Sequence, residues 1–311
     1  MSENWILSRR KFLQITGTSA AGIIISPTLL ANNSEKPLIR FGLFSDIHYA
    51  GREAAGKRFY RESLAKVQEG IDLMNHKKVD FVIELGDFKD QDAVPNEANT
   101  LKYLTEIESV FRKFAGPTYH VLGNHDMDGI SKQQFLERVK NTRIPKTESY
   151  YSFNRNKIHF VVLDANFTQA GVSYDHGNFT WDDTFIPEIQ TSWLKEDLKS
   201  SKYPVVVFVH QMLDDSKGVN QHVKNAAEVR QILEHSGKVL AVFQGHVHEE
   251  RYNAINGIHY YSVNAVVDDE GTKNNAYQIV EVFNDGSLEI KGFRRASNHE
   301  FSALNKPNSE N

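Results

Sequence analysis

The sequence predicts an α/β fold, a four-layer α/β/β/α sandwich of two stacked mixed sheets flanked by helices. Three observations carry this expectation. From Pro37 onward, short apolar runs alternate with amphipathic stretches of helical period. The last quarter of the chain is almost wholly strand and hairpin turn. Several apolar runs are flanked by helical segments on both sides, the pattern of strands buried on two faces.

The elements follow in order. Leu38–Ser45 reads as a strand and Phe59–Met74 as a helix, with Tyr60, Leu64, Val67, Ile71 and Met74 at steps of three and four. Asp80–Leu85 is a strand, Glu97–Phe114 a helix, Thr118–Leu122 a strand and Lys132–Val139 a short helix. Tyr150–Asn154 and Lys157–Leu163 read as strands joined at Arg155-Asn156. An irregular segment spans Asp164–Phe185. Pro187–Ser200 is helical, with proline tolerated in the first turn. Val205–His210 is a strand, Ala226–His235 a helix and Val239–Gln244 a strand. Four strands close the chain: Glu250–Ala254, Ile258–Val263, Tyr277–Phe283 and Leu288–Phe293. Ile255-Asn256-Gly257 and Asn284-Asp285-Gly286 supply their turns. Residues after Ala296 read as a loose polar tail, giving a domain over 37–296 and a tail over 297–311.

Composition removes several chemistries. The 311 residues include no cysteine, which excludes disulfides, thiolate metal sites and a cysteine nucleophile. The net charge of −4 argues against a surface built to hold nucleic acid, and no nucleic-acid partner is expected. No G-x-S-x-G elbow is present. Gly51–Arg58 falls one residue short of a phosphate-binding loop, since Arg58 stands where a hydroxyl would hold magnesium.

The polar clusters at the strand ends carry the chemical signal. Phe41–Ser45 runs into Asp46-Ile47-His48, Phe81–Leu85 into Gly86-Asp87, and Tyr119–Leu122 into Gly123-Asn124-His125-Asp126. Val205–Val209 ends at His210, and Val239–Gln244 at Gly245-His246-Val247-His248. In parallel sheets such ends share one edge, where open α/β folds place their sites. Asp46 and His48, like His246 and His248, are two apart and would face one way in extended chain. Glycines before Asp87, Asn124 and His246 permit tight turns and close approach. Oxygen and imidazole donors together suit manganese, iron or zinc. A lone Gly-Asp is ordinarily a turn and a lone histidine is ordinarily inert; five such clusters in succession are not explained that way.

In that order the clusters D-x-H, G-D, G-N-H-D, H and G-H-x-H resemble the calcineurin-like metallophosphoesterase family, over about Ile39 to Phe293. The resemblance implies two divalent metal ions (manganese, iron or zinc), one held by Asp46, His48, Asp87 and His248. Asp87, Asn124, His210 and His246 would hold the other, with Asp87 shared. It also implies a metal-bridging hydroxide attacking phosphorus and a His125 that faces the phosphate. Asp126 either orients His125 or caps the following turn. Lys57-Arg58-Phe59-Tyr60-Arg61, Phe81–Asp87, Tyr150–Phe153 and Phe160–Ala165 are similar to the manganese-dependent ADP-ribose/CDP-alcohol diphosphatase branch. That branch often has Gln in place of His48. The implied substrate is a small phosphorylated compound, such as a nucleotide derivative, cleaved at a phosphodiester or phosphoanhydride bond. A phosphomonoesterase on the same site, or a metal-binding scaffold without turnover, are the alternatives. Arg52, Lys57, Arg58 and Arg61 either hold a distal phosphate or form a solvated helix start. The aromatic residues of Asp164–Phe185 either stack a base or pack their loop.

Ser8-Arg9-Arg10-Lys11-Phe12-Leu13 resembles the bacterial twin-arginine export signal. The apolar stretch to Ala31 is broken by Gly17, Gly22 and Pro27, and is marginal for a permanent span. The expectation is a signal over 1–31 recognised by the twin-arginine machinery, no stable membrane anchor, and a periplasmic or secreted enzyme.

Overall fold

The computed structural model of the protein describes residues 36–214 and 221–304. The expected export signal lies outside the described residues. No helix among the described residues is long and apolar enough to cross a membrane.

Among the described residues, twelve strands form two six-stranded sheets. The first runs β12 (His299–Phe301), β11 (Leu288–Arg294), β10 (Ala276–Val282), β1 (Ile39–Phe44), β2 (Phe81–Glu84), β3 (Thr118–His120). The second runs β4 (Tyr151–Arg155), β5 (Ile158–Val162), β6 (Val205–Phe208), β7 (Val239–Gln244), β9 (Ile258–Ser262), β8 (Arg251–Ile255). β1, β2 and β3 are parallel, as are β5, β6, β7 and β9, and the remaining pairs are antiparallel. Both sheets are therefore mixed, as predicted.

Helices cover the outer faces. α1 (Ser63–Lys77), α2 (Glu97–Phe111) and α3 (Lys132–Arg138) pack on the first sheet through Met74, Ile107 and Phe135. α4 (Glu188–Ser200) and α5 (Ala226–His235) cover the second through Leu194 and Leu233. Between the sheets lies an aromatic core centred on Phe41, stacked on Phe81 at 5.0 Å and meeting Phe160, Phe208 and Phe243 edge-on at 5.6–5.9 Å. Such edge-to-face contacts lock the two sheets laterally as well as excluding water.

The differences from the predicted elements have local causes. A 3₁₀ turn, Tyr60–Glu62, precedes α1, which then runs one turn longer and ends at Lys78 in a left-handed conformation (φ 53°). α2 is capped by Asn96, whose side chain accepts from the Asn99 amide. The expected strand through His210 stops at Phe208, because the chain leaves the ladder to enter the site. Beyond Ala296 the expected polar tail contains β12, which pairs with β11 and buries Phe301 against Tyr252 and His259. The three residues of β12 include one apolar side chain, which gives no readable period.

A buried polar group joins β2, β3 and α2. His120 Nδ1 donates to Glu84 at 2.9 Å, and its Nε2 lies 3.2 Å from Glu108. Burial alone would push His120 down, but Glu108 and Glu84 raise it to about 10. The imidazolium therefore contributes stability in full below about pH 6.5, and the contribution is lost as pH rises toward 10. His120→Gln, which leaves two buried carboxylates without their cation, is expected to cost about 3–5 kcal/mol in urea unfolding at pH 6. The gap from the unsubstituted protein should narrow toward pH 10; a gap constant with pH would contradict a charged His120.

Candidate metal centre

All seven sequence-predicted ligands arrive at one end of the sandwich, on loops that follow β1, β2, β3, β6 and β7. Three strands come from one sheet and two from the other, so the edge is shared by a stacked pair rather than by a single sheet. Asp46, His48, Asp87, Asn124 and His210 are almost completely buried, and His246 nearly so.

The loops reach this point through unusual backbone. Asp46 (φ 52°), His48 (46°), Asp87 (55°), His246 (70°) and His248 (61°) are all left-handed. The spacing of two therefore does not work through extended chain, as the sequence suggested; each ligand sits in its own reversed kink. Left-handed non-glycine residues cost on the order of 1–3 kcal/mol each and persist where surroundings fix them. Here the amides of Asp46 and His48 donate to the carbonyls of Gly86 and Asp87, which carries the β1–β2 ladder past both strands. Gly86 also needs positive φ (96°), and a Cβ on Gly123 would lie 2.1 Å from the Asp87 amide.

Three groups of donor atoms result among the described residues. Asp46, His48 and His248 form one and Asp87, His210 and His246 another, while His48, Asp90 and His125 form a third that shares His48, with the donor atoms of each within 4.8 Å of one another. Asp87 Oδ2 joins the first two, 3.5 Å from His48 Nε2 and 3.2 Å from His210 Nε2. Asp46 Oδ1 lies 3.4 Å from His248 Nε2.

The donor set fits a cation. His48 Nδ1 bonds Asp90 and His248 Nδ1 bonds Asp268, each at 3.1 Å, while His210 Nδ1 donates to the Leu85 carbonyl at 2.7 Å. These acceptors assign the protons to Nδ1 and leave lone pairs at Nε2. Yet the Nε2 atoms of His48 and His248 face each other at 3.2 Å. His246 Nε2 and Asn124 Oδ1 are buried without a hydrogen-bond partner. Buried polar atoms rarely go unsatisfied, and several lone pairs aimed together require positive charge between them.

Charge tells the same story. Burial pushes His48 down to about 4 and His246 to about 3, so both are neutral donors. Burial would raise Asp87, but His210 and His125 hold its carboxyl well below the usual range. Burial would lower His210, but Asp87 draws it up to about 10. The Asp87 carboxylate demands positive charge beside it, whether a proton or a metal.

His125 stands at the rim, its ring 4.9 Å from that of His48. Asp126 does not orient it. Both Asp126 oxygens accept from backbone amides, those of Asp87, Phe88, Lys89 and Gly123, at 2.8–3.3 Å. Asp126 thus splints the two ligand loops together, and it is Asp128 that holds His125 Nδ1, at 2.5 Å. The fully buried Lys89 donates to the carbonyls of His125 and Asp128 and fixes that turn. Burial would lower His125, but Asp87 and Asp128 raise it to about 9. Sequence reading missed Asp90, Asp128 and Asp268; the available signal was a carboxylate three residues after Asp87 and after His125.

The residues read as a distal-phosphate group divide. Arg61 pairs with exposed Glu53, while Arg52 lies over the Tyr60 ring at 4.5 Å and 3.9 Å from Asp90. Arg58 faces Asp90 at 3.8 Å, at the edge of the centre. In the 164–185 segment, Tyr174 is fully buried and stacks on Phe179 at 3.9 Å, so these two pack the loop.

A two-sheet sandwich that gathers carboxylates and imidazoles at the open ends of its parallel strands defines a metallohydrolase for anionic substrates. The sequence profile of calcineurin-like phosphoesterases matches residues 39–250, and the chain belongs to that family. A manganese-dependent ADP-ribose/CDP-alcohol diphosphatase of Arabidopsis thaliana is 27% identical over 321 residues, covering 88% of this chain and 99% of its own. One of the same description from Oryza sativa subsp. japonica is 26% identical, covering 83% of this chain and 92% of its own. In structure, a dimetal phosphatase from Danio rerio superposes with a TM-score of 0.73 at 19% identity, over 86% of this chain and all of that one. The protein is a metal-dependent phosphoric ester or anhydride hydrolase, and divalent metal ions are its cofactors.

Asp268 orients His248 from outside the ligand set, so Asp268→Asn is expected to weaken metal binding about 10–100-fold with the fold intact. Manganese titration followed by calorimetry, with circular dichroism as the fold control, reads this directly. An unchanged affinity would remove Asp268 from the centre.

Proposed function

We propose that this enzyme cleaves phosphodiester or phosphoanhydride bonds of small nucleotide-like substrates at a dinuclear centre. The observation that carries the reading is the single Asp87 oxygen standing between two groups of donor atoms. Asp46, His48, Asp87 and His248 would hold one ion, and Asp87, Asn124, His210 and His246 the other. Such a pair supplies charge neutralisation on the phosphoryl oxygens and an acidified water. The chain's own groups do the rest. His125 donates its Nε2 proton to the leaving oxygen as the phosphorus–oxygen bond breaks, while Asp128 accepts from Nδ1–H and fixes the ring. Asp126, Lys89 and the Gly123 turn keep His125 and Asn124 in place.

A cavity of about 370 Å³ beside His248 favours a two-part substrate over a monoester. It is lined by Lys57, Arg58 and Arg295 and, in equal number, by Glu249, Asp268 and Asp269, with Asn264 beside them. The cavity gives room for a second phosphate and its substituent, and its three cations give that phosphate partners.

With manganese present, ADP-ribose and bis-p-nitrophenyl phosphate are expected to turn over faster than p-nitrophenyl phosphate. His125→Ala should lower kcat about 10²–10⁴-fold, with the smallest loss on p-nitrophenyl leaving groups, which need no proton. Preference for the monoester would replace this reading with a phosphomonoesterase. No turnover with bound metal would make the chain a scaffold.

We further assign residues 1–31 to a twin-arginine signal and the sandwich from residue 37 to an exported catalytic domain. The motif Ser8–Leu13 supports this. Replacing Arg9 and Arg10 by Lys should retain the full-length chain in the cytoplasm of a bacterial host, and the unsubstituted chain should yield a periplasmic form cut near Ala31. Equal distribution of both forms in fractionation and mass spectrometry would defeat the assignment.

A further inference from the structure

Two aromatic residues of the 164–185 segment are consumed in packing, but a third is not. Trp181 is 48% exposed, and its ring centroid lies 6.0 Å from that of His246. About half of this ring is buried, and the rest is displayed to solvent beside a cluster of carboxylates and imidazoles. The loop below it is nevertheless rigidly built. The buried Tyr174 hydroxyl points at the carbonyls of Thr180 (3.3 Å) and Asp183 (2.8 Å), on either side of Trp181. The Asp183 amide closes a turn onto the Thr180 carbonyl at 3.0 Å, and the Asp183 carboxylate accepts from the Gln169 amide at 2.9 Å. Thr184 and Phe185 are tied to the Ala165 carbonyl. At the base of the segment, Asn166 donates to the Leu122 carbonyl, one residue before Gly123, and accepts from Gln211, one residue after His210. The turn that presents Trp181 is thus anchored to the two loops that carry Asn124 and His210.

We propose that Trp181 is a specificity-determining platform that takes a planar aromatic group of the substrate, a nucleobase, on the His246 side of the centre. This deepens the reading above and rests on it: the polar cavity beside His248 would take the other half of the molecule. A preformed indole offers a stacking face at little entropic cost, and it holds any base without reading its edges. The platform therefore selects for the presence of a base and is tolerant of its identity.

Four measurements on the full, manganese-loaded chain test this. Trp181→Ala should lower kcat/KM for ADP-ribose and for CDP-glycerol about ten-fold or more, mainly through KM. The same substitution should change P1,P2-dimethyl diphosphate, which has the anhydride and no ring, by less than about two-fold. Trp181→Phe should restore most of the loss. Adenosine should quench tryptophan fluorescence saturably while ribose does not, and the quench should vanish in Trp181→Phe and survive in Trp193→Phe. Adenosine has no bond to cleave, so this arm stands even if the proposed hydrolysis fails. Equal losses on ADP-ribose and dimethyl diphosphate, or a quench that persists without Trp181, would overturn the platform.

Discussion

One carboxylate oxygen organises the active end of this molecule. Asp87 Oδ2 stands between His48, carried by one sheet, and His210, carried by the other. That position exists only because the two sheets stack with their parallel strands ending together, and the stacking is held by the aromatic core around Phe41. The energy that positions the centre is thus hydrophobic and lies behind the site, while the centre itself is a concentration of lone pairs that disfavours its own assembly. A divalent cation reverses the sign of that term, which couples metal binding to the integrity of the fold's open edge.

The loops pay for convergence in backbone strain and recover it in hydrogen bonds. Five of the seven candidate ligands are left-handed. Asp126 answers with four amides drawn from two loops, Lys89 with two carbonyls, and Lys66 with the carbonyls of Val266, Asp268 and Asp269. The Lys66 contacts matter because Asp268 sits in that loop and orients His248. Buried lysines serve here as staples: three donors on a compact cation satisfy carbonyls that a tight kink strands away from any ladder.

Carboxylates just outside the ligand set decide what each imidazole does. Asp90, Asp268 and the Leu85 carbonyl take the Nδ1 protons of His48, His248 and His210, and so aim three Nε2 lone pairs inward. Asp128 does the same for His125, whose ring lies 4.9 Å from that of His48. These partners, and not the sequence motif, decide how each ring is held.

The sequence by itself determined a great deal. Helical and strand periods located the five helices and eleven of the twelve strands of the described residues, since burial on one or both faces writes a period into the chain. The Asp, Asn and His clusters at the strand ends contained all seven candidate ligands, and the family resemblance singled those seven out. Tertiary structure alone decided the rest. It showed that Asp126 splints backbone while Asp128 holds His125, that Asp90 and Asp268 orient ligands far away in sequence, and that Tyr174 is buried where Trp181 is displayed. It also placed β12 in the sheet. These are matters of direction and of which distant atom lies within about 3 Å, and a one-dimensional pattern records spacing without recording where a side chain points.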